Sequence, residues 1–176
     1  MFIFKCKWVT SGGWKIKNDL LRDLLVSSKA DVIGLQEVNL NWGKIPLRHQ
    51  WDSRSLGWWE GGHSTATTCN AKDHSSSKWQ PGGCMITSNG PSKRRMIEIG
   101  KDQRGLGRWV WTRFRGKQEK MVRIISAYQC GKGSGPHTVF SQQRRYFDLI
   151  DDARHPRDIF IEELCAEIKH GWKWEI

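Results

Sequence analysis

The sequence predicts an α/β protein with mixed sheets and flanking helices. Three observations carry this. Short alternating or wholly apolar stretches recur from residue 2 to residue 129. A helical stripe separates the first two of them, and two further helical stretches follow the last.

The elements follow in order. "FIFKCKWV" (2–9) alternates, with Phe2, Phe4, Cys6 and Trp8 on one face and Lys5 and Lys7 on the other, so a strand opens the fold. "KIKNDLLRDLLVSSK" (15–29) carries Ile16, Leu20, Leu21, Leu24 and Leu25 at helical spacing. "DVIGLQ" (31–36) reads as an apolar strand. A strand, a helix and an apolar strand in this order predict a right-handed crossover with parallel pairing. From Val38 to Pro81 the pattern fades, and residues 61–83 are rich in Ser, Thr, Gly and Asn. This is a long irregular segment with one expected strand near His63–Cys69; such a loop inside a compact domain is usually functional or disordered. "GGCMITSN" (82–89) is a strand opening at two glycines. "GRWVWTRFRG" (107–116) alternates Trp109, Trp111 and Arg113 against Val110, Thr112 and Phe114, and "KMVRIISAYQ" (120–129) alternates again. Gly116-Lys117-Gln118-Glu119 between them predicts a hairpin. Helices are expected over Thr138–Ala153 and Arg157–Trp172, broken at Pro156.

At 176 residues the chain is long enough for one domain with a real core, so a single domain over 1–176 is expected. Lys plus Arg number 29 against 18 acidic residues, a net charge of +11 that suits a partner made of phosphates. The charge is scattered and forms no basic tail. Eleven Trp have no fixed period, which excludes a repeat architecture. Five Cys without a C-x-x-C pair argue for a reducing compartment and against a disulfide framework. No apolar run of about eighteen residues and no cleavable leader occur, so a nuclear or cytoplasmic, non-secreted protein without a membrane span is expected. Cys69, His74 and Cys84 with His63 can be drawn as a zinc site, but the spacing matches no familiar pattern, and isolated buried thiols are commoner.

Glu37 is the residue that asks for an explanation, because it places a carboxylate where the apolar run 31–36 stops. Ligands of open α/β sheets sit beyond the carboxyl ends of strands. Glu37 follows an amide, Gln36, at such an end, and Tyr128 ends the last strand in "ISAYQC". The two can converge on one site, where an exposed carboxylate suits magnesium. The bland alternative is that Glu37 caps a turn or meets an Arg.

These residues resemble a known family. "ADVIGLQEVN" (30–39) looks like the Gln-Glu strand of the endonuclease/exonuclease/phosphatase superfamily, which includes deoxyribonuclease I, the apurinic endonucleases and the endonucleases of non-LTR retrotransposons. "QPGGCMI" resembles its Gly-Gly strand, "DQRGLGRWVWTRF" the next strand, and "VRIISAYQC" the strand ending in the site Tyr. "SQQRRYF" and "ARHPRDIFIEELCAEIKHGWKW" resemble the two following helices of retroelement-type members. The resemblance implies part of a four-layer α/β sandwich like that of deoxyribonuclease I. It implies metal-assisted phosphodiester hydrolysis with magnesium or manganese. Glu37 would be the metal ligand, Gln36 its support or a substrate contact, and Tyr128 the group that orients or stabilises the scissile phosphate. DNA would be held through its backbone.

Two parts of the family pattern do not appear. Val9, Thr10 and Ser11 stand where the family has a metal-proximal Asn, and the text "GWKWEI" is reached without an Asp-x-Asn or a Ser-Asp-His. Asp151, Asp152 and Asp158 fall on helical patterns, and His137, His155 and His170 read as surface or helix-end residues. The expectation is therefore an incomplete domain, weakly active or inactive in DNA hydrolysis, with unpaired sheet edges open to association. The alternatives are a noncatalytic nucleic-acid-binding module, with Trp side chains stacking on unpaired bases, and a retroelement relic without function.

Overall fold

A computed structural model describes residues 2–5, 14–67, 80–118, 120–133 and 135–170 of the protein. They group into two compact units, one of residues 1–128 and one of residues 129–176.

The first unit holds two sheets. Strands β1 (Phe2–Lys5), β2 (Val32–Gln36), β3 (His63–Thr67) and β4 (Cys84–Asn89) form a four-stranded sheet in the order β1-β2-β4-β3. β1 and β2 run parallel, from Phe2 opposite Ile33 to Lys5 opposite Gln36, which requires a crossover; helix α1 (Trp14–Ser27) supplies it. The other pairs in this sheet are antiparallel. Strands β5 (Met96–Lys101), β6 (Trp109–Arg115) and β7 (Met121–Ala127) form an antiparallel three-stranded sheet in sequence order. The expected α/β class with mixed sheets and flanking helices is the one observed.

Alternation explains why β2 up to Leu35 and β4 up to Ile86 are apolar on both faces. Ile33, Leu35 and Met85 pack with Leu25 of α1 and with Ala30, Val38, Leu40, Trp42 and Trp51. Their neighbours Val32, Cys84 and Ile86 turn the other way and pack with Ala66 of β3 and with Val110 and Phe114 of β6. The four-stranded sheet is thus covered on one face by α1 and the Trp-rich segment after it, and on the other by the three-stranded sheet. A strand buried on both faces favours a near-continuous apolar run; β4 keeps that run to Ile86 and then buries Thr87, Ser88 and Asn89, with the Asn89 amide donating to the Ala30 carbonyl at 3.0 Å.

β6 is buried on both faces as well. Val110 and Phe114 meet the first sheet, while the guanidinium of Arg108 lies 4.4 Å from the Trp109 ring and that of Arg123 lies 3.8 Å from the Trp111 ring. Arg113 and Arg115 reach the rim, and Arg113 pairs there with Glu98 at 3.2 Å. Trp111 also packs against Gly100 of β5; a Cβ at that glycine would come within 2.3 Å of the indole ring, so no other residue fits there without moving Trp111.

Several elements differ from the sequence reading. β1 is described only to Lys5, and residues 6–9 of the expected strand lie outside the described residues. In α1 the buried row is Leu21 and Leu25, whereas Leu20 and Leu24 are exposed. The two rows differ by one residue, about 100° around a helix, which is enough to separate inside from outside. The segment after β2 contains single helical turns at Trp42–Lys44 and Leu47–His49 and a short helix α2 (Trp51–Arg54), which bring Trp42 and Trp51 into the core. Helix α3 (Gly90–Arg95) and β5 were not expected. β5 is an edge strand with a bulge between Met96 and Glu98 and little buried surface, so it carries no strand pattern of its own and exists by pairing with β6. The expected hairpin is present, with Arg115 opposite Met121 and the Gly116 amide donating to the Lys120 carbonyl at 2.6 Å.

The second unit holds α4 (Val139–Leu149) and α5 (Pro156–His170). Thr138 caps α4 by accepting the Ser141 amide at 3.2 Å, and Pro156 begins α5, where its missing N–H is no loss. Phe147, Ile159 and Phe160 are buried. The turn between the helices is fastened by Arg154, which meets Asp152 at 2.7 Å and Glu162 at 2.6 Å.

Candidate functional site

β2 and β7 belong to different sheets, yet their carboxyl ends meet. The Gln36 amide nitrogen donates to the Ala127 carbonyl at 2.7 Å, and the Ser126 hydroxyl donates to the Leu35 carbonyl at 3.5 Å. Beyond these cross-ties the hydroxyl of Tyr128 donates to the Glu37 carboxylate. The structure thus brings together all three residues singled out in the sequence: Gln36 joins the strand ends, and Tyr128 and Glu37 touch.

The geometry depends on a backbone conformation that the sequence does not announce. A regular continuation of β2 would send Glu37 to the face of Ile33 and Leu35, away from β7. Instead Glu37 has φ +53°, in the left-handed region, and so does Asn39 at +56°. Asn is tolerated there, whereas the left-handed conformation costs a residue such as Glu about 1–2 kcal/mol. The surroundings hold it. The Val38 amide donates to the Gly83 carbonyl at 3.3 Å, and the Asn39 amide donates to Gly82 at 2.7 Å. The Gly82 amide returns a bond to the Asn39 side chain at 2.8 Å. Gly82 and Gly83 have φ +85° and +87°, which explains the paired glycines before β4. The turn swings Glu37 off the strand and toward Tyr128.

Tyr128 is held from the other side. Its amide donates to the Arg108 carbonyl at 2.8 Å, one step beyond the Trp109–Ala127 pair of β6 and β7. Arg108 is buried and bound in a fork by Asp102, with Nε and one terminal nitrogen each 2.7 Å from a carboxylate oxygen. Asp102, also buried, further accepts the amides of Arg104 at 3.0 Å, Leu106 at 3.1 Å and Arg108 at 3.4 Å. In the sequence, "DQRGLGR" (102–108) gives no sign that either residue has a part in the site. An acid and a base six residues apart around two glycines are a signal only once the turn between them is known.

The drawn zinc site does not assemble. Cys69 and His74 lie outside the described residues. His63 pairs with Asn89 at the far end of β4 from Cys84, a separation of about 17 Å at five residues of strand. His63 is engaged with Ser55 at 2.8 Å and Asp52 at 3.5 Å; its hydrogen bond holds the Asp52 carboxyl below the usual carboxylate range. Burial pushes the Cys84 thiol up, so it is an inert core thiol. Among the described residues no group of three or more His, Cys, Asp or Glu stands ready to hold a metal. Residues 9–11, where the family's Asn is missing, also lie outside the described residues. Asp158 lies in α5, with Asp151, Asp152 and His155 in the turn before it, His170 at its end and His137 just ahead of α4, all in the second unit.

The model of the Endonuclease/Exonuclease/phosphatase family matches residues 9–164. The chain belongs to this family. Among solved structures it is similar to an endonuclease/exonuclease/phosphatase family protein from Leptotrichia buccalis C-1013-b, with a TM-score of 0.50 and 10% identity over 83% of this chain. The chain spans 61% of that protein's length, and at this identity the likeness speaks for the fold alone. No curated protein matches significantly. Members of the family are phosphodiesterase- or nuclease-type hydrolases that generally use divalent metal ions. Among the described residues no helix is long and apolar enough to cross a membrane.

The site fits such an ion in one particular way. Glu37 offers a single carboxylate, nearly buried, with one oxygen in contact with the Tyr128 hydroxyl. A hard cation such as magnesium accepts one or two protein carboxylates and completes its shell with water and substrate phosphate, so one carboxylate suffices to seat it.

Proposed function

We propose that this chain carries the metal-holding and phosphate-facing side of a DNA endonuclease of the retroelement type. The observation that carries the reading is the Glu37–Tyr128 contact, made by a strained turn between the ends of two strands from different sheets. Glu37 binds a magnesium or manganese ion. The ion, when bound, neutralises charge on the phosphate and polarises it. The Tyr128 hydroxyl lies where it can donate to a non-bridging phosphate oxygen or keep Glu37 oriented, and Gln36 fixes the strand ends on which both stand. The net charge of +11 supplies attraction to the DNA backbone.

The test is a manganese titration of the whole chain, followed by paramagnetic broadening of tyrosine resonances. Manganese is expected to broaden Tyr128 in the wild type and to leave it sharp in Glu37→Gln. Equal broadening in both would place the ion elsewhere and end this reading.

Duplex DNA is expected to bind with steep salt dependence. With about six phosphate contacts, the slope of log K against log salt is about −5. A flat response between about 50 and 200 mM would mean that the charge is not a DNA surface. Binding with that slope but without any manganese response would instead favour the noncatalytic module.

A further inference from the structure

The buried pair Asp102–Arg108 lies outside the Glu37–Tyr128 contact, and the proposed chemistry makes no use of it. Its cost is plain. Two full charges are withdrawn from water, and each must find compensation inside the protein. Asp102 accepts five hydrogen bonds, two from the Arg108 guanidinium and three from backbone amides of the loop that joins β5 to β6. The carboxylate therefore fixes the course of residues 102–108, and with it the position of the Arg108 carbonyl.

That carbonyl touches both halves of the candidate site. On the side of the three-stranded sheet it accepts the Tyr128 amide at 2.8 Å. On the side of the four-stranded sheet it accepts the Cys84 thiol at 3.5 Å. Cys84 directly follows Gly82 and Gly83, whose carbonyls hold Val38 and Asn39 in the turn that aims Glu37. One carbonyl thus sets the backbone of Tyr128 and braces the strand that carries the Glu37 turn. The side chain of Arg108 is buried and stacked on Trp109, so it is not placed to meet a phosphate itself.

We propose that Asp102 and Arg108 are positioning residues for the Glu37–Tyr128 pair: Asp102 locks the Arg108 carbonyl in place, and that carbonyl sets where the Tyr128 hydroxyl meets the Glu37 carboxylate. The proposal rests on reading Glu37 and Tyr128 as the working pair, but its test needs neither metal nor activity. The protein has two tyrosines, Tyr128 and Tyr146, so the full chain labelled at the tyrosine ring carbon that bears the hydroxyl gives two resonances. Glu37→Gln identifies the resonance of Tyr128 and marks its shift when the carboxylate is lost. Asp102→Asn is expected to move the same resonance in the same direction and to leave Tyr146 in place. Arg108→Lys keeps a charge for Asp102 but loses the fork; it is expected to speed hydrogen exchange of the Tyr128 amide by about tenfold, the equivalent of ~1.4 kcal/mol. If Asp102→Asn does not fold, Arg108→Lys carries the test alone.

Gly100→Ala is the control, because it strains the same sheet at Trp111 without removing a side chain of the Asp102–Arg108 pair. It is expected to lower the unfolding midpoint and leave the Tyr128 resonance where it was. A folded Asp102→Asn with an unmoved Tyr128, an unchanged amide in Arg108→Lys, or a shift from Gly100→Ala as large as that from Asp102→Asn would each overturn the positioning role. Absence of manganese binding in the wild type, with the Tyr128 shift present, would defeat the proposed function and leave this inference standing.

Discussion

Asp102→Ala is expected to destabilise the protein by about 3–5 kcal/mol, the range for breaking one partner out of a buried ion pair. The substitution leaves the Arg108 guanidinium buried without its carboxylate and takes the acceptor from three loop amides at once. Total stabilities of single domains run to about 5–15 kcal/mol, so this one change can remove a third or more of the whole. Arg108→Met is expected to cost a similar amount. The two together should cost less than their sum, because no charge is then stranded. They will not restore the wild type, since Asp102 also closes the loop. Urea unfolding of the four proteins measures the coupling. Additive losses would show that the two side chains do not act as one unit. The exposed pair of Arg144 with Asp148 in α4 offers a contrast, because breaking it should cost less than about 1 kcal/mol.

The 176-residue chain is expected to nick supercoiled plasmid slowly or not at all in the presence of magnesium. On the proposed reading Glu37 holds the ion, but hydrolysis also needs a group that positions and deprotonates water, and such help contributes about 10²–10⁴-fold. The resemblance implies an Asp-x-Asn and a Ser-Asp-His for this work, and neither motif occurs in these 176 residues. Among the described residues no cluster of three metal-binding side chains replaces them. The measurement is the rate of nicking by the wild type beside Glu37→Gln. Fast nicking that disappears in the variant would show that a residue read here as structural is the base. Nicking that survives the variant points to a contaminating nuclease.

The local pattern of this chain was readable where burial demands it. β2 is free of polar side chains up to Gln36, and β4 from Cys84 to Ile86, because both faces are covered, and two glycines before β4 mark a turn that only glycine enters freely. Tyr128 and Glu37 could be singled out because a polar group at the end of an apolar strand has no packing reason to be there. β5 could not be read, because an edge strand with half-exposed residues owes its conformation to hydrogen bonds from β6 rather than to its own side chains. The row of α1 that faces inward was equally open, since Leu20–Leu24 and Leu21–Leu25 have the same spacing, and only the position of the sheet chooses between them.

By itself, then, the sequence determined the α/β class and the parallel start of the first sheet, because strand and helix periods are local properties of a chain, and it singled out Gln36, Glu37 and Tyr128 as polar residues at strand ends. Only the tertiary structure decided that these three residues meet. Glu37 and Tyr128 are 91 positions apart, and strand alternation alone aims Glu37 away from its partner. The left-handed turn that redirects it is held by Gly82 and Gly83. The carbonyl that sets Tyr128 is fixed by a charge pair six residues apart, buried where no local pattern records it. Contacts of that range depend on how two sheets pack, and no window of neighbouring residues contains that information.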